Sequence, residues 1–185
     1  MLTVTSAAID AVKILTAKWI ADSRGSFCET YNQPRFAEHG ITPAFVQDNH
    51  SVSAAIGTVR GLHFQSPPAA QAKLIRVLKG RIFDVAVDLR RSSPSYGKWV
   101  AEEVSADNRK QIFIPAGFAH GFCTLEADTH VFYKVSDVYS PPHDLGIAWD
   151  DPDLAIDWPV APGEATLSDK DRRMPAFSSL PAYFE

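Results

Sequence analysis

The stretch Arg60-Gly-Leu-His-Phe-Gln65 is the densest in chemistry. A guanidinium and an imidazole flank a glycine in what reads as a strand, where glycine often marks a bulge or a close backbone approach. The planar fork of Arg60 suits a phosphate. His63 suits a general base, since an imidazole titrates near pH 6.5 or about there in the absence of neighbours. Each also has a plainer role, Arg60 in a surface ion pair and His63 as a hydrogen-bonded, half-buried ring. Lys73 opens a strand whose other same-face positions are Ile75 and Val77. An ammonium in an apolar row is costly unless it has a partner or a task, although at a strand end its stem can also carry the charge out to water. Tyr133 shares a face with Val131 and Val135, either as a core aromatic or as a proton donor at a pocket. His120, in Pro-Ala-Gly-Phe-Ala-His-Gly, is expected at a turn leading into a strand, a favourable place for a functional side chain. Gln47, Asn49 and Ser51 alternate with Val46 and Val52 on the opposite face. Those three polar side chains either line an interior or meet solvent.

Other chemistries lack their signatures. No His-x-His or Cys-x-x-Cys occurs, and His39, His50, His130 and His143 stand singly, so the spacing does not point to a metal. Phosphate-loop and dinucleotide glycine motifs are absent, as is a Gly-x-Ser-x-Gly elbow.

These residues must be positioned mainly by strands. Thirteen prolines and ten glycines cut the chain into short pieces. In Gly80–Leu89, Phe83, Val85, Val87 and Leu89 fall on one face and Asp84, Ala86 and Asp88 on the other. Lys73–Leu78 alternates too, and Lys79-Gly80 is expected to form a tight turn joining the two as a pair. Further strands are predicted at Phe45–Val52, Thr58–Phe64, Trp99–Val104, Gln111–Ile114, Gly121–Leu125 and Thr129–Val135. Asn32 is placed to cap a short helix, with Pro34 near its start and Gly40 as its stop. Ser168 is placed to cap a short turn ending by Pro175. Many short strands and few helices predict a mostly antiparallel β-barrel or jelly roll with a ligand mouth.

Composition sets the outer bounds. A chain of 185 residues favours a single domain. With 45% hydrophobic and 22% charged residues it is too apolar for disorder, and no apolar run is long enough to span a membrane. A net charge of −4 gives no global pull toward nucleic acid, so an anionic ligand needs a local cluster of cations. Two cysteines, Cys28 and Cys123, make no disulfide framework, and the N-terminus lacks a signal pattern, so a cytoplasmic protein is expected.

Several longer stretches carry a family likeness. They are Asp-Ser-Arg-Gly-Ser-Phe-Cys-Glu (22–29), Gln-Asp-Asn-His-Ser (47–51), Arg-Gly-Leu-His-Phe-Gln (60–65) and Gln-Ala-Lys-Leu-Ile-Arg-Val (71–77). Gly-Arg-Ile-Phe-Asp-Val-Ala-Val-Asp-Leu-Arg (80–90), Ile-Pro-Ala-Gly-Phe-Ala-His-Gly-Phe (114–122) and Tyr-Lys-Val-Ser-Asp (133–137) follow. Gly-Ile-Ala-Trp-Asp-Asp-Pro (146–152) and Leu-Ser-Asp-Lys-Asp (167–171) complete the set. In order, and over nearly the whole chain, they resemble the dTDP-4-dehydrorhamnose 3,5-epimerase family.

The resemblance implies a mainly β, cupin-type jelly roll with a few short helices. It also implies epimerisation of a dTDP-linked 4-keto-6-deoxyhexose at C3 and C5, in dTDP-L-rhamnose formation, without metal or cofactor. By the same resemblance His63 is the base, Asp171 its partner, Tyr133 the acid on the opposite sugar face, and Lys73 the cation at the C4 oxygen. Asp171 also reads as a helix-start carboxylate near Ser168. Arg24, Phe27, Glu29, Gln47, Asn49, Arg60, His120, Tyr139, Asp144 and Lys170 match ligand-binding positions. A homodimer is implied, with residues 1–45 as N-terminal strands and exchange segment, 46–140 as barrel core and 141–185 as C-terminal extension. Three positions depart from the pattern: Phe64 for a common Tyr, Asp144 for an expected Glu, and Cys28 beside the nucleotide segment. Two other functions fit the same motifs, a mono-epimerase of one carbon and a non-catalytic barrel that binds nucleotide sugars.

Overall fold

The computed structural model describes residues 2–185. Eight strands form the barrel: β5 (Gln47–Ser53), β6 (Val59–Gln65), β7 (Lys73–Lys79), β8 (Arg81–Asp88), β9 (Trp99–Ser105), β10 (Lys110–Ile114), β11 (Phe118–Thr124) and β12 (Thr129–Val135). They are preceded by β1 (Leu2–Ser6), β2 (Lys13–Ala17), β3 (Ile20–Asp22), β4 (Gly25–Phe27) and helix α1 (Gln33–Ala37), and followed by β13 (Asp144–Gly146). One sheet runs β1-β2-β10-β7-β12-β5 and the other β13-β6-β11-β8-β9. Every pairing between named strands is antiparallel. The nested order β5-β12-β7-β10 against β6-β11-β8-β9 is that of a jelly roll. Among the described residues no helix is long and apolar enough to cross a membrane.

The inner faces pack Ile75, Ile82, Ala86, Val104, Ile112 and Val131 between the sheets. Both outer faces are covered as well. Phe36 of α1, with Ile41, Tyr31 and Phe45, lies over Leu74 and Phe113 of the first sheet. Leu154, Trp158, Phe177 and Phe184 lie over Leu62, Val85 and Val87 of the second. Each fully buried aliphatic side chain here contributes about 1.5–3 kcal/mol. The apolar face of β8 therefore points outward beneath the C-terminal segment, and Asp84 and Ala86 point into the barrel.

Three expectations need correction. Lys79-Gly80 does not close a hairpin: β7 pairs with β10 and β12, β8 with β9 and β11. Gly80, with φ of +79°, turns a corner from one sheet to the other, and a Cβ there would lie 2.4 Å from Thr129 Oγ1. The strand expected from Gly121 begins at Phe118, which puts His120 inside β11 rather than at its entrance, because the turn is already complete at Gly117. The strand expected from Phe45 enters the ladder at Gln47, since Phe45 packs under α1. At Gly61 the close approach is real, with a built Cβ only 2.4 Å from Gly121 Cα. Asn32 caps α1 by accepting from Arg35 N–H, and Ser168 Oγ accepts from Asp171 N–H at the start of a 3-10 turn, Asp171–Arg173.

Candidate active site

Between the sheets lies a cavity of about 420 Å³ whose wall includes Arg60, His63, Lys73, His120, Tyr133 and Asp171. Alternation along β6 explains half of it, because Leu62 and Phe64 pack outward beneath the C-terminal segment and turn His63 inward. His63 sits opposite His120 in the β6–β11 ladder, and opposite Gly146 of β13 on its other side.

His63 Nε2 and Asp171 Oδ1 are 2.5 Å apart, although 108 residues separate them in the chain. Burial of the Asp171 carboxyl acts to raise its pKa. The hydrogen bond and charge of His63, with Ser168 and Lys170, overcome that and hold it below the usual carboxylate value. Asp171 is thus both the turn-opening residue and the imidazole's partner.

Lys73 does not carry its charge out to bulk water. It is 8% exposed, and its Nζ donates to the His63 carbonyl oxygen at 3.2 Å. Burial pulls the ammonium down to about 8, against the raising effect of Asp144 and Asp84. Burial also raises the Tyr133 phenol above its ordinary value, with Arg60 opposing and Asp144 adding. Arg60 is tethered by neutral acceptors, Ser53 Oγ at 3.0 Å and the Val52 carbonyl at 3.1 Å. Its charge therefore remains available to an anion.

A second cavity, of about 410 Å³, shares His63, Lys73, Tyr133 and Lys170 with the first and adds Gln47, Asn49, Tyr139 and Asp144. The polar face of β5 is thus interior. Tyr139 N–H donates to Gln47 Oε1, and Gln47 Nε2 donates to Asn49 Oδ1, both at 2.9 Å. Asp144 accepts from the Tyr139 hydroxyl at 2.9 Å and pairs with Lys170. Phe64, where a Tyr is common, packs on Tyr183 and Phe184 and needs no hydroxyl partner.

Arg24, Phe27 and Glu29 are not brought to these cavities. Arg24 pairs with Asp22 at 2.6 Å on the β3–β4 hairpin, which joins neither large sheet. Phe27 is 69% exposed, and Glu29 pairs with Arg35 at 2.8 Å. Cys28 follows this hairpin, its thiol pushed up by burial. Among the described residues no three His, Cys, Asp or Glu side chains cluster so as to hold a metal ion. The sequence reading missed one group, Asp84, which accepts from His120 Nε2 at 2.8 Å inside the barrel. The available signal was an acid alternating with Ala86 in an otherwise apolar strand.

A carboxylate-backed imidazole, a phenol on the opposite sheet and a buried ammonium are the parts needed to remove a proton, return one and steady an oxyanion. The family model described as dTDP-4-dehydrorhamnose 3,5-epimerase matches residues 6–179. The chain belongs to that family. A dTDP-4-dehydrorhamnose 3,5-epimerase from Sinorhizobium fredii is 49% identical over 97% of this chain and 92% of its own length. A Bacillus anthracis 3,5-epimerase structure with TDP and pyrophosphate bound superposes with TM-score 0.92 at 49% identity, covering 95% of this chain and 99% of that one. A Legionella pneumophila 3,5-epimerase in complex with dTDP-4-keto-L-rhamnose gives 0.93 at 43%, covering 98% and 96%. Membership of the epimerase family extends over both cavities and over the hairpin that lies apart from them.

Proposed function

We propose that the chain epimerises dTDP-4-dehydro-6-deoxy-D-glucose at C3 and C5 to dTDP-4-dehydro-L-rhamnose. The observation that carries this reading is the placing of His63, with its Asp171 partner, and Tyr133 on opposite sheets around one cavity that also holds a buried Lys73. The C4 ketone makes the neighbouring C–H bonds acidic by delocalising charge onto oxygen. With Nε2 donating to Asp171, the lone pair of His63 Nδ1 takes the proton, and the aspartate stabilises the imidazolium that forms. Lys73, already desolvated, offsets the charge on the enolate oxygen, a service commonly worth about 3–4 kcal/mol per donor. Tyr133 returns a proton from the other face, which inverts the carbon. These steps use only side chains of the chain.

The nucleotide end occupies the second cavity, with Gln47, Asn49, Tyr139, Asp144 and Lys170 around it, while Arg60 holds the diphosphate and His120 faces the sugar. Arg24, Phe27 and Glu29 serve the site of a second copy in a homodimer. The exposed apolar side chains of the hairpin and of the β5 edge, Ile20, Phe27, Val46 and Val52, support that association. Both cysteines are free, in keeping with the cytoplasm.

The test is an NMR time course of dTDP-4-keto-6-deoxyglucose with metal-stripped enzyme in D₂O, with and without a following ketoreductase. Deuterium at C3 and C5, trapped as dTDP-L-rhamnose, is expected. Label at one carbon makes the protein a mono-epimerase. Binding of dTDP without label makes it a non-catalytic nucleotide-sugar protein.

A further inference from the structure

Asp84 has no part in the steps above, yet it is wholly buried inside the barrel. Its Oδ2 accepts from His120 Nε2 at 2.8 Å, and its Oδ1 is buried without a hydrogen-bond partner among the described residues. Burying a carboxylate with one oxygen unpaired is costly, and a well-packed apolar residue would do better if packing were its only purpose. The charged groups facing it are His120 from β11, Lys73 from β7 and Glu102 from β9.

The arrangement repeats the one at His63. His63 and His120 are direct partners in the β6–β11 ladder, and both rings line one cavity. Each turns Nε2 to an aspartate, at 2.5 Å and 2.8 Å, and neither Nδ1 has a protein partner among the described residues. The two aspartates arrive from different places, Asp171 from the C-terminal turn and Asp84 from β8. The environments also differ. The His63 side chain is 29% exposed, whereas that of His120 is 8% exposed against a fully buried partner. A sealed imidazole–carboxylate pair is held in one orientation, which suits a fixed hydrogen-bond donor better than a recycling base.

We propose that Asp84 is a positioning residue for the epimerisation, locking His120 by Nε2 and sustaining its positive charge so that Nδ1–H is a second donor, beside Lys73, to the negative charge of the enolate. The inference rests on the epimerase reading. Burial pushes the Asp84 carboxyl up, and the charges of His120 and Lys73 beside it pull the other way, toward the carboxylate that the proposal requires.

The test compares Asp84→Asn, His120→Gln and the double variant by deuterium exchange at C3 and C5. Asn is the same size as Asp but cannot support an imidazolium. Asp84→Asn is expected to lower kcat roughly 10²-fold or more, with KM for the dTDP-sugar nearly unchanged. The double variant is expected to be no slower than His120→Gln alone, because both changes remove one device. A role confined to packing would instead lower Tm, leave kcat of the folded fraction intact and add to the His120 effect. The inference is overturned if Asp84→Asn exchanges both protons at the wild-type rate, or if the double variant loses the product of the single losses. Nitrogen-15 imidazole NMR of the wild-type enzyme decides even if Asp84→Asn does not fold: His120 must carry protons on both ring nitrogens, and an unprotonated Nδ1 or Nε2 overturns the idea. Failure of the wild-type enzyme to exchange would sink the function itself, whereas an indifferent Asp84→Asn with normal wild-type exchange removes only this step.

Discussion

His63, Asp171, Tyr133 and Lys73 divide the proposed reaction, and each division can be measured. His63→Ala is expected to abolish deuterium exchange at both carbons while dTDP affinity, followed by calorimetry, stays close to wild type. Tyr133→Phe is expected to spare exchange more than net inversion, because removal and return use different groups. An inversion rate equal to wild type in that variant would strip Tyr133 of its role. Lys73 carries a stability consequence with a definite sign. Its pKa of about 8 against 10.5 for a free lysine means that the unfolded chain binds the extra proton between those values. Stability contributed at this site therefore rises as pH climbs from about 8 toward 10.5, and at pH 7 the buried ammonium costs about 3 kcal/mol. Lys73→Met is expected to raise Tm at pH 7 by at least about 2 °C while exchange collapses. Wild-type activity is expected to fall above about pH 8 as the ammonium loses its proton. The sequence marked Lys73 because it interrupts an apolar row. It did not mark Asp84, whose strand could bury either face.

The strands explain which parts of the site were readable and which were not. Alternation in β6, β7 and β12 is local, so the shared face of Lys73, Ile75 and Val77, or of Val131, Tyr133 and Val135, could be seen without a structure. Which face of β8 lies inside depends on Leu154, Trp158, Phe177 and Phe184, residues distant in sequence that cover its outer side. The Lys79-Gly80 corner failed for a related reason, since a short gap between two alternating runs looks alike whether the runs pair or part company. Gly61 and Gly121 give the β6–β11 contact its closeness, and the imidazoles of His63 and His120 depend on that spacing. A Cβ at Gly121 would stand 2.9 Å from the Arg60 carbonyl oxygen and 3.1 Å from Gly61 Cα. Gly121→Ala is therefore expected to cost about 1–3 kcal/mol in urea unfolding. It should also slow exchange further than the loss of folded protein accounts for.

At the scale of the molecule, one chain gathers His63, Tyr133 and Lys73 around one cavity but keeps Arg24, Phe27 and Glu29 elsewhere. The resemblance matched those three to ligand-binding positions, and the fold leaves them outside both cavities that His63 lines. With the hairpin serving a partner, sedimentation is expected to give a dimer at working concentration. Mixed refolding of an Arg24→Ala, Phe27→Ala chain with a His63→Ala chain should restore exchange that neither supports alone. Recovery no greater than the sum of the separate chains would mean that the hairpin serves its own subunit or none. The segment after β12 has a different bearing, on the making of the protein. Translation completes all eight barrel strands before it reaches Asp171, so a nascent barrel precedes its own arming. Until that last stretch arrives, Val85 and Val87 lack their cover. An unfinished chain thus displays, to the chaperones and proteases that sort newborn proteins, the very strip that a finished and chemically competent one conceals.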